Sequence, residues 1–170
     1  AFPERPEFDI YAVMNPAKEV GGDFYDFFMV DEQHLAVVIA DVSGKGIAAA
    51  LFMVIGKTLI KDHTKPDISL GAVFSEVNDL LCDANSEGLF ITAFEGVLDL
   101  VTGEFHFVNA GHEIPFIARE GEDYEPYRIK PGFVLAGMEN MKYQAGSIQL
   151  APGDKIFQYT DGVTEAMNGK

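Results

Sequence analysis

The chain has 170 residues, with 12 Lys plus Arg against 27 Asp plus Glu and a formal charge of −15. That length is one ordinary domain, and 48% hydrophobic with 23% charged residues is a globular composition with enough apolar residues for a core, which excludes a disordered acidic tail. So acidic a surface repels nucleic acid, and the longest apolar run, Ile47–Ile55, is far below the roughly 20 residues of a membrane span.

The start, Ala1–Pro6, is polar and proline-containing, without a secretory pattern; an initial Ala in place of Met predicts a longer parent protein. Asp9–Met14, Phe24–Val30 and His34–Ala40 carry strand patterns. Gly46 opens a stretch rich in Ala, Leu, Met and Ile that predicts a helix to about Lys61. A second helix is predicted from an N-cap at Ser69 to Asn85. Cys82, the single cysteine, excludes an internal disulfide, fits a reducing, cytoplasmic setting and reads as helix packing. After Gly88 the pattern changes to strands. Phe90–Leu100, Glu104–Asn109 and Pro115–Arg119 read as a β-meander with Val101-Thr102-Gly103 as a tight turn, followed by strands at Tyr143–Leu150 and Lys155–Thr160. No repeat or linker divides residues 1–170, so a single domain is expected. Strands, then helices, then strands predict an α+β fold with helices over one face of a mainly antiparallel sheet.

The acids are most informative around the first hairpin. Gly21-Gly22-Asp23-Phe24-Tyr25-Asp26 precedes it, Asp31-Glu32-Gln33 turns it, and Asp41-Val42-Ser43-Gly44-Lys45-Gly46 ends it. A turn centred on Glu32 puts Asp23 opposite Asp41, where like charges destabilise a sheet unless a proton or a cation lies between them. Each acid taken alone also fits a turn residue hydrogen-bonding its own backbone. Two features favour a cation. Gly21, Gly22, Gly44 and Gly46 leave the backbone bare around both acids, and Asp161 repeats the arrangement at a strand end before Gly162. Carboxylates without Cys and with little His are hard oxygen ligands, suited to Mg²⁺ or Mn²⁺, and no run has the acid spacing of a calcium loop.

Other motifs carry less. Gly56-Lys57-Thr58 lacks the upstream glycine of a phosphate-binding loop and lies within the first predicted helix. Gly44-x-Gly46 lacks the rest of a dinucleotide fingerprint. Gly21-Gly22-Asp23 resembles the hairpin of nucleotide cyclases, but Phe24 stands where that motif has Glu. His112, in Asn109-Ala110-Gly111-His112, reads either as a general acid near a site or as a turn residue bonded to nearby backbone.

In order and spacing, the two hairpin motifs, Asn109-Ala110-Gly111-His112 and Tyr159-Thr160-Asp161-Gly162-Val163-Thr164-Glu165-Ala166 resemble the SpoIIE-like branch of the type 2C metal-dependent (PPM) serine/threonine protein phosphatases. The likeness runs from about Phe8 to Met167. It implies a four-layer α-β-β-α sandwich with two central antiparallel sheets, here without the last helix and strand and the Asp-Asp pair they carry. It implies that Asp23 and Asp41 bind a pair of Mn²⁺ or Mg²⁺ ions, Asp41 bridging them, with the Val42 carbonyl adding a bond and Asp161 on the second ion. Asp26, Gly44, Gly162 and His112 would support the site. Hydrolysis would follow from in-line attack by a metal-bound hydroxide, with no phospho-enzyme. The implied partners are a phosphoserine or phosphothreonine protein such as an anti-sigma-factor antagonist, an upstream sensory or response-regulator domain, and a second copy in a homodimer; neither nucleic acid nor membrane is implied. Ala48 and Glu113 depart from the usual pattern. The rival readings are a phosphatase-like docking module with little activity, which a missing last ligand would favour, and a nucleotide cyclase, which the lack of a phosphate-binding Lys and glycine motif disfavours.

Overall fold

Asp31 starts the fold locally: its Oδ1 accepts from the Gln33 and His34 amides at 2.7 and 2.8 Å, closing the turn between the first two strands. The computed structural model describes residues 4–14 and 21–164. Strands β1 (Phe24–Met29) and β2 (His34–Val42) pair antiparallel, Phe24 opposite Ala40 and Met29 opposite Leu35. The chain then forms α1 (Ile47–His63) and α2 (Leu70–Asp83), and returns as β3 (Ile91–Asp99) and β4 (Glu104–Ala110). It continues through β5 (Phe116–Ala118), β6 (Glu125–Pro126), β7 (Ala145–Gln149) and β8 (Lys155–Phe157) to one turn of helix, α3 (Asp161–Thr164). These strands make a five-stranded sheet in the order β1-β2-β3-β4-β7 and a three-stranded sheet in the order β6-β5-β8, all neighbours antiparallel.

The large sheet is buried on both faces, which is why β2 reads as a nearly continuous apolar run. Ala36, Val38, Ala40 and Val42 of β2, with Phe24, Phe28, Ile91 and Ala93, pack beneath Phe52 and Ile60 of α1 and Val73, Phe74, Val77 and Leu81 of α2. On the other face, Phe94, Phe105 and Phe107 cluster with Val37 and Ile39 against Tyr127, Ile129 and Ile156 on the small-sheet side. Glycines make this packing close. A Cβ at Gly56 would sit 2.6 Å from Ile91 Cδ1, and one at Gly96 would fall 2.0 Å from Phe105 Cζ. Ser69 caps α2 as expected, its Oγ accepting from the Ala72 amide at 3.3 Å. Among the described residues, no helix is long and apolar enough to cross a membrane.

The antiparallel α+β expectation holds, with three corrections. Asp9–Met14 has strand-forming residues but joins neither sheet, and Tyr11 and Val13 lie exposed; local propensity cannot supply a partner edge. The three-strand meander breaks after β4, whose outer neighbour is β7, because the chain crosses to the small sheet at Gly111. There φ is +68° and a Cβ would meet Val134 Cγ1 at 2.8 Å, so the corner requires glycine. The last strand ends at Phe157, short of the expected Thr160, and β6 has too little pattern to be read from sequence. The described residues supply one helix layer and both sheets of the sandwich.

One polar group lies deep under the helices. Glu95, on β3, is fully buried; its Oε1 lies 2.7 Å from Thr64 Oγ1 and its Oε2 has no partner. Thr64 Oγ1 is also 2.7 Å from the Ile60 carbonyl. A hydroxyl has one proton, so an ionised Glu95 would leave one of these contacts between two acceptors; a Glu95 that carries its own proton satisfies both. Burial pushes the Glu95 carboxyl up to about 8, in agreement.

Candidate functional site

The carboxylates gather at the end of the hairpin where β1 begins and β2 finishes. The register that sets Phe24 opposite Ala40 continues one step further to set Asp23 beside Asp41, as the turn centred on Glu32 predicts. Both project from the face that meets the small sheet, since β2 alternates and Val37 and Ile39 belong to that core. Gly22 makes the approach possible. A Cβ there would lie 2.7 Å from the Val42 carbonyl oxygen, so only glycine lets the chain pass this close to the end of β2. Gly44 and Gly46, at φ +89° and +87°, supply left-handed turns before α1, and Ser43 ties the loop to Phe90 through two 2.8 Å bonds. The glycines therefore shape the chain's own backbone, where bare sequence suggested room for a ligand.

Asp41 is half-buried, and its carboxyl is pushed up to about 7, first by burial, then by the hydrogen bond and charge of Asp23 and the charge of Asp161. Asp161 comes from the other sheet, at the first position of α3, and Gly162 follows it. A hydrogen bond joins the two sides: Thr160 Oγ1 donates to Asp23 Oδ2 at 2.8 Å. His112 makes a second link. Its Nε2 faces the Tyr159 carbonyl at 3.1 Å and its Nδ1 faces Thr92 Oγ1 at 3.0 Å, while Thr92 lies directly opposite Asp41 in the β2–β3 ladder. A carbonyl only accepts, so Nε2 carries the ring proton. Burial holds the His112 pKa below the usual histidine value, so the ring is neutral and Nδ1 accepts from the Thr92 hydroxyl. Asn109 fixes the His112 backbone, accepting from its amide at 2.8 Å and donating to its carbonyl at 3.0 Å.

Asp23, Asp41, Val42, Asp161, Gly44, Gly162 and His112 thus lie around one end of the sheet pair. Asp26 does not join them. Three residues along a strand from Asp23 it faces the helices, accepting from the Phe27 amide at 3.0 Å and lying 3.8 and 4.0 Å from Lys57 and Lys61 of α1. Thr92 and Thr160 are the contributors that sequence reading left without a role. Thr160 stood within a recognised motif, but Thr92 becomes visible only once β3 is aligned with β2. Glu165 and Ala166 of the last motif lie outside the described residues.

Two adjacent carboxylates with a third nearby offer only oxygen donors. Among the described residues no three acidic, histidine or cysteine side chains close tightly around one point. A pair of carboxylates completed by water suits Mg²⁺ or Mn²⁺, which keep much of their hydration, and the raised Asp41 pKa marks negative charge that a cation would relieve.

Comparison with known proteins bears on the family and the fold. The chain is 32% identical to the phosphoserine phosphatase RsbU of Bacillus subtilis over 96% of its own length and 48% of RsbU, and 31% identical to the protein IcfG of Synechocystis over 98% of itself and 30% of IcfG. It therefore spans half or less of the curated relatives it matches. Among solved structures, the RsbU and RsbW domains of a Mycobacterium tuberculosis protein superpose with a TM-score of 0.76 at 25% identity, covering 89% of this chain and 42% of that one. The PP2C phosphatase domain of SpoIIE from Bacillus subtilis gives 0.74 at 20% identity, covering 89% of this chain and 45% of that one, and shows the same fold. The model of the Stage II sporulation protein E family matches residues 31–170, and the chain belongs to that family.

Proposed function

We propose that this domain is a divalent-metal-dependent phosphoserine/phosphothreonine protein phosphatase. The observation that carries the reading is the juxtaposition of Asp23 and Asp41 at the hairpin end, with Asp161 facing them from the second sheet. Asp23, Asp41, the Val42 carbonyl and Asp161 would hold Mn²⁺ or Mg²⁺, two ions in the full site. Bound there, the ions supply Lewis acidity toward phosphoryl oxygens and lower the pKa of water. The chain's own contribution is to hold Asp23 and Asp41 side by side and to fix Asp161 through the Thr160 and Tyr159 contacts, while a bound cation would favour the ionised carboxylates. No side chain in the site is placed as a nucleophile, which fits direct attack by water on phosphorus.

The phosphoserine phosphatase names of RsbU and RsbP support a phosphoserine substrate, and a solved relative, RsbX, is described in complex with magnesium. A small anti-sigma-factor antagonist is the substrate class we favour, in a longer cytoplasmic signalling protein that couples this domain to a sensory segment. The reading is tested by phosphate release from an aryl phosphate and from a phosphoserine protein: Mn²⁺ should stimulate it and a chelator abolish it. Metal-independent turnover would overturn it, and binding of the phosphoprotein without turnover would favour the docking-module alternative.

A further inference from the structure

Asp161 belongs to the small sheet's end of the chain, while Asp23 and Asp41 belong to the large sheet, so the site depends on whatever fixes one sheet's end against the other. The direct links among the described residues at this end are few and specific. Thr92, on β3, presents its hydroxyl to His112 Nδ1; His112 Nε2–H reaches the Tyr159 carbonyl; and the next residue, Thr160, donates to Asp23 Oδ2. The chain of contacts begins beside Asp41, passes through the residue two before Asp161 and ends on Asp23. The His112 backbone is itself held by two hydrogen bonds with the Asn109 side chain, which fix the point from which the ring reaches Thr92 and Tyr159. Side chains that orient metal ligands without touching the ion govern affinity nearly as strongly as the ligands do.

We propose that Thr92, His112 and Thr160 form an inter-sheet clamp that positions Asp161 against Asp23 and Asp41, and that His112 works here as a hydrogen-bonded strut. The proposal rests on the metal-site reading above. It assigns roles to two threonines outside the implied ligand set, and it removes His112 from the candidates for general acid, since both ring nitrogens are already engaged.

The test is Mn²⁺ titration by calorimetry on this chain and on Thr92→Val, Thr160→Val, His112→Ala and His112→Gln, with thermal melts of each and ¹⁵N NMR of the His112 ring in the metal-free protein. His112→Ala and Thr160→Val should weaken Mn²⁺ binding by roughly 10–100-fold and Thr92→Val by a smaller factor, as for other residues that orient metal ligands. His112→Gln should recover most of the affinity, because its amide nitrogen can still donate to the Tyr159 carbonyl. The NMR spectrum should show the Nε2–H tautomer. The near-isosteric valine variants guard against simple unfolding, and a purely stabilising role would lower melting temperatures while leaving the affinity of folded protein unchanged. Unchanged affinity in the folded variants, or an Nδ1–H tautomer, would overturn the clamp while leaving the metal site standing. A wild-type chain that binds no Mn²⁺ would overturn the metal reading, and the clamp's purpose with it.

Discussion

Glu95 and Asp41 lie on the two faces of one sheet, and burial raises the carboxyl of both, to about 8 and about 7. The remedies differ because the surroundings differ. Glu95 sits under α1 and α2 with a single polar neighbour, Thr64, and the other titratable side chains on the elements around it are turned elsewhere: Lys57 and Lys61 to Asp26, His63 to the Leu59 carbonyl and Glu76. Fully buried and without a charged partner among the described residues around it, it keeps its proton. Asp41 is half-buried beside a second carboxylate and within reach of a third, at a sheet end open to solvent, where a divalent ion can enter. The same desolvation therefore makes a structural hydrogen-bond donor on one face and, on the proposed reading, a carboxylate for a cation on the other.

The largest effect that would break this contrast is on activity. Asp41→Asn should reduce phosphate release by at least ~100-fold while stabilising the metal-free protein by up to ~1 kcal/mol, because it relieves like-charge repulsion across the strands. Assays of turnover alongside urea melts check both signs; retained activity would remove Asp41 from the metal site.

Next is the buried acid. Glu95→Ala should cost about 2–4 kcal/mol, through the cavity and the Thr64 hydroxyl oxygen left without its donor, whereas Glu95→Gln keeps an N–H donor and should cost less than ~1 kcal/mol at pH 7. The pH dependence carries a definite sign. The folded Glu95 value, about 8, lies above the ordinary 4.5, so the folded state binds this proton more tightly. Its contribution is fully present below the ordinary value, is lost progressively as pH rises through the folded value, and is level above it. Wild-type urea midpoints should fall across that window and those of Glu95→Gln should fall less; equal slopes would show Glu95 ionised in the native state.

A smaller effect separates the two faces by metal. Saturating Mn²⁺ at 100 times its Kd should stabilise the wild type and Glu95→Gln alike by about 2.7 kcal/mol and leave Asp41→Asn nearly unmoved. Smallest of all is Asp26→Asn. Its lysine partners are partly exposed and nearly 4 Å away, so stability should change by about 0.5 kcal/mol, and Mn²⁺ affinity should stay within about two-fold. A large loss of affinity would show that Asp26 serves the site from the helix face after all.

Much of the fold was legible because its signals are local. The Asp31 turn, the Ser69 cap, the helical runs under Phe52, Ile60, Val73 and Phe74, and the apolar alternation of β3 and β4 each declare themselves within a few residues. The misreadings fall where a segment's fate depends on a distant edge. Asp9–Met14 has strand-forming residues without a partner, and β5 leaves its sequence neighbour for the other sheet. The orientation of Asp26 was available in the sequence and passed over: three residues from Asp23 along a strand, it must face the opposite way.

The hairpin register, and with it the pairing of Asp23 and Asp41, is legible in the residues alone, because a short turn leaves two strands little freedom to slide. Period-two alternation also says which residues share a face, but not what layer will cover it. It took the packed layers to bring Asp26 to α1, to bury Glu95 beneath the helices against Thr64, and to join the two sheets through Thr92, His112 and Thr160 around Asp161. Those contacts link residues 20 to 137 positions apart. Their geometry comes from packing both sheets and the helices at once, which no local pattern encodes.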